Sequence, residues 1–236
     1  MRILVDAGNT LTKWQLRYAG NTVAGGQGDL RALCDWVSAL DDSKQYAVAV
    51  SCVKEDTYAH KIGEAFESLS SATLHFVKSS ATFAGVSNAY DEPQCLGVDR
   101  WLALLAIKAR GENSAVIIDV GTACTIDVLE NGHHLGGYIF PGMALARDAL
   151  VANTDKIRFS EDPEPSTSLG SDTASCVLSG IWLTLLTSCQ SVIDRFPNAT
   201  VYLTGGAGRE LVVLGLDAQR VDGLVFDGLD FWLNGA

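Results

Sequence analysis

The sequence lacks the features that stabilise a small secreted domain or build a metal centre. Its six cysteines are scattered, with no Cys-x-x-Cys pair and no histidine at zinc-finger spacing. A chain of 236 residues can bury a sizeable core without disulfide bonds. We therefore expect reduced, partly buried thiols and a cytoplasmic protein. The pair His133-His134 follows the turn signal Asn131-Gly132, so we interpret it as part of a loop.

Positive charge and proline are also scarce. The chain has 17 Lys and Arg against 28 Asp and Glu, a net charge of −11, and no Lys/Arg cluster. Such a chain repels nucleic-acid backbones, so nucleic-acid binding is disfavoured. Only five prolines and 47% apolar residues indicate a folded globular protein. We find no apolar run near the roughly 18–20 residues of a membrane span and no signal-peptide pattern, so we expect neither membrane association nor secretion.

Two segments of the chain resemble each other. Each has a short apolar run, an aspartate, a Gly-centred turn with threonine and a second alternating run. The two aspartates, Asp6 and Asp119, lie close to half the chain length apart. An internal duplication explains this pattern, and strands alternating with helices predict an α/β fold of two halves, residues 1–110 and 111–236.

Periodicity predicts the elements that follow each of these hairpins. The first half continues with a strand at about 22–27, a helix at 29–40, a strand at 46–51, a helix at 54–69 and a strand at 73–77. The second half continues with a strand at about 134–140, a helix from 141, a long helix at 172–195 and a strand at 200–203 before another helix. Ser171 is the predicted N-cap of the long helix. The polar stretch 155–168 is predicted to be a loop near the nucleotide cleft.

The first of the two turns has the residues of a phosphate-binding site, Asp6-x-Gly8-Asn9-Thr10-x-x-Lys13. Glycine lets backbone N–H groups approach an anion closely, and Asn9 and Thr10 can add side-chain donors. Lys13 can reach a phosphate as a point charge, and Asp6 can hold a hydrated Mg²⁺. An ordinary hairpin turn with local hydrogen bonds is the alternative reading.

Two further turns strengthen the nucleotide-binding interpretation. Asp119-x-Gly121-Thr122-Ala123 repeats the acidic strand end, and the small-residue turn at 203–208 could lie against an adenine ring. In this order the three turns resemble the nucleotide-binding fold of actin and hexokinase. The resemblance implies two duplicated actin-like, or ribonuclease H-like, halves, each a mixed five-stranded sheet flanked by helices, with a nucleotide cleft between them.

One more segment narrows the resemblance to a single family. Residues 89–101 read Ala-Tyr-Asp-Glu-Pro-Gln-Cys-Leu-Gly-Val-Asp-Arg-Trp and are similar to the substrate segment of type III pantothenate kinases. That family also carries the two turn motifs above and Gly-Gly-x-Ile-x-Pro-Gly, here at 136–142. The motifs follow in order from Asp6 to Gly208. The resemblance implies an enzyme that transfers the γ-phosphoryl group of ATP to the primary hydroxyl of pantothenate, the first step of coenzyme A biosynthesis.

The resemblance also implies a role for each matching residue. The ATP-binding residues are Asp6, Ala7, Gly8, Asn9, Thr10, Leu11, Thr12, Lys13 and Thr122. The pantothenate-binding residues are Tyr90, Gly97, Val98, Asp99, Arg100 and Thr173, with Asp99 as the catalytic base and Arg100 on the substrate carboxylate. Asp119 helps to bind a monovalent cation, K⁺ or NH₄⁺, and Asp6 holds Mg²⁺ through water. The family works as a homodimer, and the long helix at 172–195 is apolar on more than one face, which suits a helix-mediated interface.

Elementary chemistry supports two of these roles. A carboxylate does not deprotonate an alcohol outright, so Asp99 would orient the hydroxyl and accept its proton late. Arg100 offers a planar fork that suits a small carboxylate. The plainer readings are a helix-capping Asp99 with a surface Arg100, a first-turn Thr173 and a packing role for Tyr90.

Two departures and three other functions complete the sequence interpretation. Cys124 stands where threonine is common in the family, and the loop at 166–171 lacks the family's basic or Asn-rich character. The alternative functions are a non-catalytic regulatory relative, or a kinase of another small carboxylate or sugar. An NTPase chaperone or filament subunit would need larger inserted subdomains.

Overall fold

The structure is a computed structural model that describes residues 1–159 and 163–235, and its chain forms two compact units. The first unit comprises Met1–Glu112 and the segment from Leu224 onward, and the second comprises Asn113–Gly223. The first unit contains, in chain order, β1 (Arg2–Ala7), β2 (Thr12–Tyr18), β3 (Asn21–Gly28), α1 (Leu30–Ser38), β4 (Tyr46–Cys52), α2 (Asp56–Glu67), β5 (Ala72–Phe76), β6 (Thr82–Phe83), β7 (Val86–Ser87) and α3 (Val98–Ala109). The second contains β8 (Ala115–Val120), β9 (Ala123–Glu130), β10 (His133–Pro141), α4 (Met143–Asn153), α5 (Thr173–Ile193), β11 (Thr200–Thr204), α6 (Gly208–Val213) and β12 (Gln219–Arg220). The last helix, α7 (Leu224–Gly235), belongs to the first unit.

The first unit is built on a mixed sheet with the strand order β3-β2-β1-β4-β5. β1 pairs antiparallel with β2 and parallel with β4, so β1 is the central strand. Side chains of β1 and β2 such as Ile3 and Trp14 pack with Leu33 of α1 and Ile62 of α2 in one core cluster. α3 and α7 pack against each other and against β4. The sheet is therefore covered by two pairs of helices.

The second unit repeats this topology. Its five strands lie in the order β12-β11-β8-β9-β10, with β8 antiparallel to β9 and parallel to β11. β8, β9, β10, β11 and β12 thus correspond to β1, β2, β3, β4 and β5. α5 packs Leu178, Trp182 and Leu185 on β8 and β9 within the core of this unit. The predicted α/β fold of two duplicated, actin-like halves is confirmed.

The C-terminal helix differs from the sequence interpretation. The predicted second half was residues 111–236, whereas α7 packs in the first unit against α3. A Cβ on Gly228 would collide with the backbone carbonyl of Leu102, so the glycine permits this close helix contact. The chain therefore returns to the first unit at α7, and no local feature of the sequence indicates this return.

The long helix α5 begins with a different cap from the one predicted. Its N-cap is Asp172, not Ser171, and the Asp172 carboxylate accepts a hydrogen bond from Ser175 N at 2.9 Å. Ser175 Oγ accepts in return from Asp172 N at 3.2 Å, which completes a capping box. A carboxylate therefore replaces the predicted hydroxyl at this helix start.

The same helix corrects the expectation about apolar runs. Thr173–Ile193 has 21 residues and a mean hydropathy of 1.6 over 18 of them, so by length and composition it could cross a membrane. Ser, Thr, Gly and Cys interrupt this run, so it lacks the continuous apolar character of a typical span, although it contains no charged residue. Only 28% of that window is buried within the chain. One face of α5 packs in the core, and its other face is apolar or small and exposed.

The prediction that His133 and His134 lie in a loop is also wrong. Asn131 and Gly132 do form the tight turn, with φ values of 52° and 81°. Both histidines lie on β10, however, and His134 is buried with Nε2 2.8 Å from Asp127 Oδ1. Pro141, predicted in a first helical turn, ends β10. Part of the predicted loop at 155–168, residues 160–162, lies outside the described residues.

Candidate functional site

The first turn motif connects β1 and β2 in the first unit. Asp6 lies directly opposite Lys13, and Ala7 lies opposite Thr12, so residues 8–11 form the turn between paired strands. Thr12 is buried, and its Oγ1 lies 2.7 Å from Tyr58 Oη on α2. The register brings an acid and a base together at the strand ends, next to a glycine-containing turn.

A group of cations beside this turn was not singled out from the sequence. A cavity of about 370 Å³ adjoins Thr10 and is lined by Arg31, Lys54 and Lys61. Lys54 Nζ lies 4.2 Å from the centre of the Tyr58 ring. These side chains come from α1, the loop after β4, and α2, so no continuous sequence motif indicates that they lie together. They give the outer flank of the turn positive charge in a chain whose net charge is −11.

The predicted substrate segment ends in the first turn of α3. Gly97 is the N-cap and Val98 the first helical residue, which places Asp99 and Arg100 where helix N–H groups favour negative charge. Asp99 is half-buried, and its Oδ1 accepts a hydrogen bond from Arg100 N at 2.8 Å. The plain capping reading is therefore incorrect in detail, because the cap position belongs to Gly97.

Arg100 and Tyr90 meet in the structure. The Arg100 side chain is buried, and its Nη1 donates a hydrogen bond to Tyr90 Oη at 2.9 Å. The guanidinium carbon also lies 5.8 Å from the centre of the Tyr90 ring. The surface-arginine reading is wrong. A buried guanidinium held in a fixed orientation is a group that can recognise a carboxylate.

In the second unit, the β8–β9 turn packs against two glycines. Gly142 N donates to Thr122 O at 2.9 Å, and a Cβ on Gly142 would collide with the carbonyl of Gly121. Gly205, with φ +91°, sits so close to Asp119 Oδ1 that a Cβ there would also collide. The turn after β11 and the start of α4 are thereby brought to the Asp119–Thr122 turn. The family's Pro-Gly pair and the Gly-Gly turn have this physical role in common.

Thr173 and Cys124 complete the positions named from the sequence. Thr173 is the first residue of α5 and its side chain is exposed. Cys124, next to the second turn, is buried and shares a hydrogen bond with Cys189 that, together with burial, raises the pKa of the Cys124 thiol. This thiol therefore stays protonated at neutral pH and acts as a small core side chain. All six cysteines are free thiols; Cys124 and Cys189 are buried, whereas Cys95 and Cys176 are exposed.

The acidic strand ends can be tested for their fit to metal ions. Among the described residues, no group of three or more His, Cys, Asp or Glu could hold a metal ion by itself. Asp6 and Asp119 are single carboxylates, which suits cations that complete their shell with water, backbone carbonyls and substrate phosphates. Gly205 packs closely against Asp119, because a Cβ there would collide with Asp119 Oδ1. Each of the two turns thus offers one carboxylate to a partly hydrated cation.

Fold and turns together define the class of protein. Two repeated mixed sheets, each with an aspartate and a glycine turn after its first strand, characterise the ATP-dependent phosphotransferases that share the actin and hexokinase fold.

Comparison with known proteins gives the family. A family model described as type III pantothenate kinase matches residues 2–195. A type III pantothenate kinase of Marinobacter nauticus is 34% identical over 236 residues, which cover 98% of this chain and 97% of the relative. The chain belongs to the type III pantothenate kinase family.

Solved structures agree on the fold. A Campylobacter jejuni protein described as a candidate Baf family transcriptional activator has a TM-score of 0.62 and 19% identity, with 98% of this chain and 97% of that chain covered. The ethanolamine utilization protein EutJ of Carboxydothermus hydrogenoformans has a TM-score of 0.53 and 17% identity, with 97% and 88% covered. At these identities the likeness concerns the fold alone.

Proposed function

We propose that this chain transfers the γ-phosphoryl group of ATP to the primary hydroxyl of pantothenate, the first step of coenzyme A biosynthesis. The observation that carries the proposal is the buried Arg100, which Tyr90 holds at the N-terminus of α3 beside Asp99. A family match along most of the chain supports the same substrate pair. The motif that distinguishes pantothenate from other acceptors is the one that builds this arginine site.

Arg100 binds the carboxylate of pantothenate in this proposal. The guanidinium has five N–H donors in a rigid fork, and Tyr90 Oη accepts from one of its nitrogens at 2.9 Å. Burial strengthens its attraction for an anion, because the local dielectric is lower than that of water. The family resemblance implies that the rest of the pantothenate molecule contacts Gly97, Val98 and Thr173.

Asp99 acts on the hydroxyl that receives the phosphoryl group. Phosphoryl transfer passes through a loose transition state, so positioning and charge neutralisation supply most of the catalysis. Asp99 orients the hydroxyl for in-line attack and accepts its proton as the new P–O bond forms. Its place in the first turn of α3 puts this carboxylate one residue from the proposed carboxylate-binding arginine.

The two turns hold the phosphates of ATP. In this proposal, phosphate contacts are assigned to backbone N–H groups and side chains of Asp6–Lys13 in the first turn and to Thr122 in the second turn. Arg31, Lys54 and Lys61 add positive potential beside the first turn. Asp6 would hold Mg²⁺ through water and Asp119 a monovalent cation, K⁺ or NH₄⁺. When bound, these cations neutralise phosphate charge.

A homodimer is part of the proposal, with α5 at its interface. The exposed positions of α5 include Gly180, Leu183, Thr184 and Thr187, which lie three or four residues apart and carry no charge. Leu145 and Leu150 of the adjoining α4 are exposed as well. A second copy of the chain would bury this surface and keep α5 out of a membrane. The cytoplasmic location stays a prediction.

The decisive experiment measures ADP release with Mg²⁺, K⁺ and ATP, with and without pantothenate. We expect pantothenate-dependent turnover in the natural protein and a fall in kcat of about 10²–10⁴-fold in Asp99→Asn, because the hydroxyl loses its proton acceptor. Asp91→Asn, an exposed change in the same segment, is the matched control and should stay within about twofold of the natural protein.

Either part of the proposal can fail separately. Full turnover in Asp99→Asn would remove the proposed role of Asp99 and leave the kinase activity. Absence of pantothenate-dependent ADP in the natural protein would contradict the proposed function and favour another acceptor or a regulatory role.

A further inference from the structure

Asn88, directly before the substrate segment, makes several hydrogen bonds through its side chain. Its Nδ2 donates hydrogen bonds to Pro93 O at 3.0 Å and Ser80 O at 3.3 Å. Its Oδ1 accepts from Tyr90 N at 3.0 Å, and its own backbone N donates to Ala81 O at 2.9 Å. One amide thus joins the segment before β6 to two positions in the loop between β7 and α3.

These partners also fix which way the amide points. Two carbonyl oxygens require the donor end of the amide, and a backbone N–H requires the acceptor end. The bond from Oδ1 to the N–H two residues later is an Asx turn, which bends the backbone just before Tyr90. The backbone of Tyr90 is therefore tied to an amide whose orientation its other partners fix.

The loop has little other regular structure to hold it. Between β7 and α3 it contains a single short 3₁₀ turn, Pro93–Cys95. Its far end is tied by Ser79 Oγ, which donates to Leu96 O at 2.8 Å, next to the N-cap of α3. Asn88 is the corresponding tie at the near end. Without it, the backbone of Tyr90 would lose its local anchor.

Tyr90 in turn orients the side chain of Arg100. The phenol hydroxyl accepts from Arg100 Nη1 at 2.9 Å, and the guanidinium is buried. A displaced Tyr90 would weaken or lose this hydrogen bond and so shift the guanidinium from its orientation. A small misplacement of a binding group is enough to weaken an oriented interaction substantially.

We propose that Asn88 is a positioning residue that, through Tyr90, orients Arg100 toward the carboxylate of the acceptor substrate. The inference rests on the proposed function, in which Arg100 binds the carboxylate of pantothenate. Asn88 itself is not proposed as a catalytic residue, because its side chain hydrogen-bonds to the backbone of Ser80, Tyr90 and Pro93.

The test compares pantothenate with the corresponding alcohol, in which a hydroxymethyl group replaces the carboxylate. In Asn88→Ala we expect the KM for pantothenate to rise about tenfold, the effect of losing about 1.4 kcal/mol of binding. The KM for ATP and the kcat/KM for the alcohol should change less than about twofold, because neither depends on Arg100 orientation. The preference for pantothenate over the alcohol should therefore fall about tenfold.

Two further variants separate positioning from general damage. Asn88→Asp keeps the acceptor for Tyr90 N and loses both donors, so it should retain part of the preference for the carboxylate. Combining Asn88→Ala with Tyr90→Phe should raise the KM little beyond the larger single effect, since both act through one contact. Asn21→Ala, which removes an exposed side-chain bond to Ala19 O in the β2–β3 turn, is the control and should leave the preference unchanged.

Several outcomes would overturn the inference. Equal losses for pantothenate and the alcohol, or an equal rise in the KM for ATP, would show general damage without positioning. Fully additive effects of the two changes would show that Asn88 does not act through Tyr90. Failure of the proposed function itself would appear as a lack of pantothenate turnover in the natural protein. Amide hydrogen exchange then remains as the test: exchange across residues 89–97 should rise at least tenfold in Asn88→Ala, and unchanged exchange would overturn the positioning role.

Discussion

Gly205 shows how a single residue shapes the second turn. Its φ of +91° lies in the left-handed region, and its Cα faces Asp119 and Val120 so closely that any side chain would collide. Ala207 N, two residues later, donates to Val120 O at 3.0 Å, which fastens the turn after β11 to the end of β8. The glycine thus serves close packing, in addition to any contact with a nucleotide.

Replacement of Gly205 by alanine should therefore be costly. We expect Gly205→Ala to lower the free energy of unfolding by about 2–4 kcal/mol, from left-handed strain and overpacking together. Gly206→Ala is the matched control, because a Cβ there meets nothing within 4 Å, and it should change stability by less than about 1 kcal/mol. Urea denaturation followed by circular dichroism measures both variants. Equal stability of the two would mean that the turn relaxes without resistance.

At the scale of elements, α7 is held in the first unit by charge as well as by packing. Asp227 accepts from Arg17 Nη2 at 2.9 Å and from Arg110 Nη2 at 2.6 Å. Asp230 accepts from Arg2 Nη1 at 2.7 Å. These pairs join α7 to β1, β2 and the end of α3. A partly buried network of this kind stabilises more than an isolated exposed pair does.

Removal of one carboxylate charge tests that network. Asp227→Asn leaves two guanidinium groups with a neutral partner, and we expect a loss of about 1–3 kcal/mol in the free energy of unfolding. Asp222→Asn, which breaks an exposed pair with Arg220, should cost less than about 0.5 kcal/mol. Thermal and urea denaturation at low and high salt provide the comparison. The difference between the two variants should shrink in 0.5 M NaCl, and a salt-independent loss would point to packing instead of charge.

The elements that the sequence predicts best are those with local signals. The β1–β2 and β8–β9 hairpins follow from alternating side chains around a glycine turn, and the duplicated halves follow from their repetition. The position of α7 could not be predicted because it depends on contacts with α3, which is far away in the chain. The burial of His134 could not be predicted because it depends on Asp127 on the paired strand β9. At the candidate site, the sequence motif at 89–101 was sufficient to identify Arg100 and Tyr90. Asn88 and Lys54 could not be identified from the sequence. Asn88 bonds to backbone groups and Lys54 lines a cavity formed by several elements, and neither arrangement produces a recognisable sequence motif.

At the scale of the whole molecule, charge and apolar surface are unevenly distributed. The chain carries a net charge of −11, yet the 21 residues of α5 contain no charged residue. An exposed, uncharged helix face on a strongly acidic protein is the surface that like-charged copies can approach with least repulsion. The face continues onto α4 through Leu145 and Leu150. Both features favour a symmetric contact between two copies through α5.

A charged residue on that face should therefore separate the copies. Leu183 is 46% exposed, and in Leu183→Glu each two-fold interface would bring two equivalent carboxylates close together. We expect light scattering after gel filtration to give about twice 25.1 kDa for the natural protein and about 25.1 kDa for the variant at micromolar concentration. Val213→Glu, at a more exposed apolar position on α6, should remain dimeric. A monomeric natural protein would contradict the dimer, whereas a dimeric Leu183→Glu would move the interface away from α5. Because the N-terminus of α5 carries Thr173, dissociation should also raise the KM for pantothenate more than the KM for ATP if the partner covers the acceptor site.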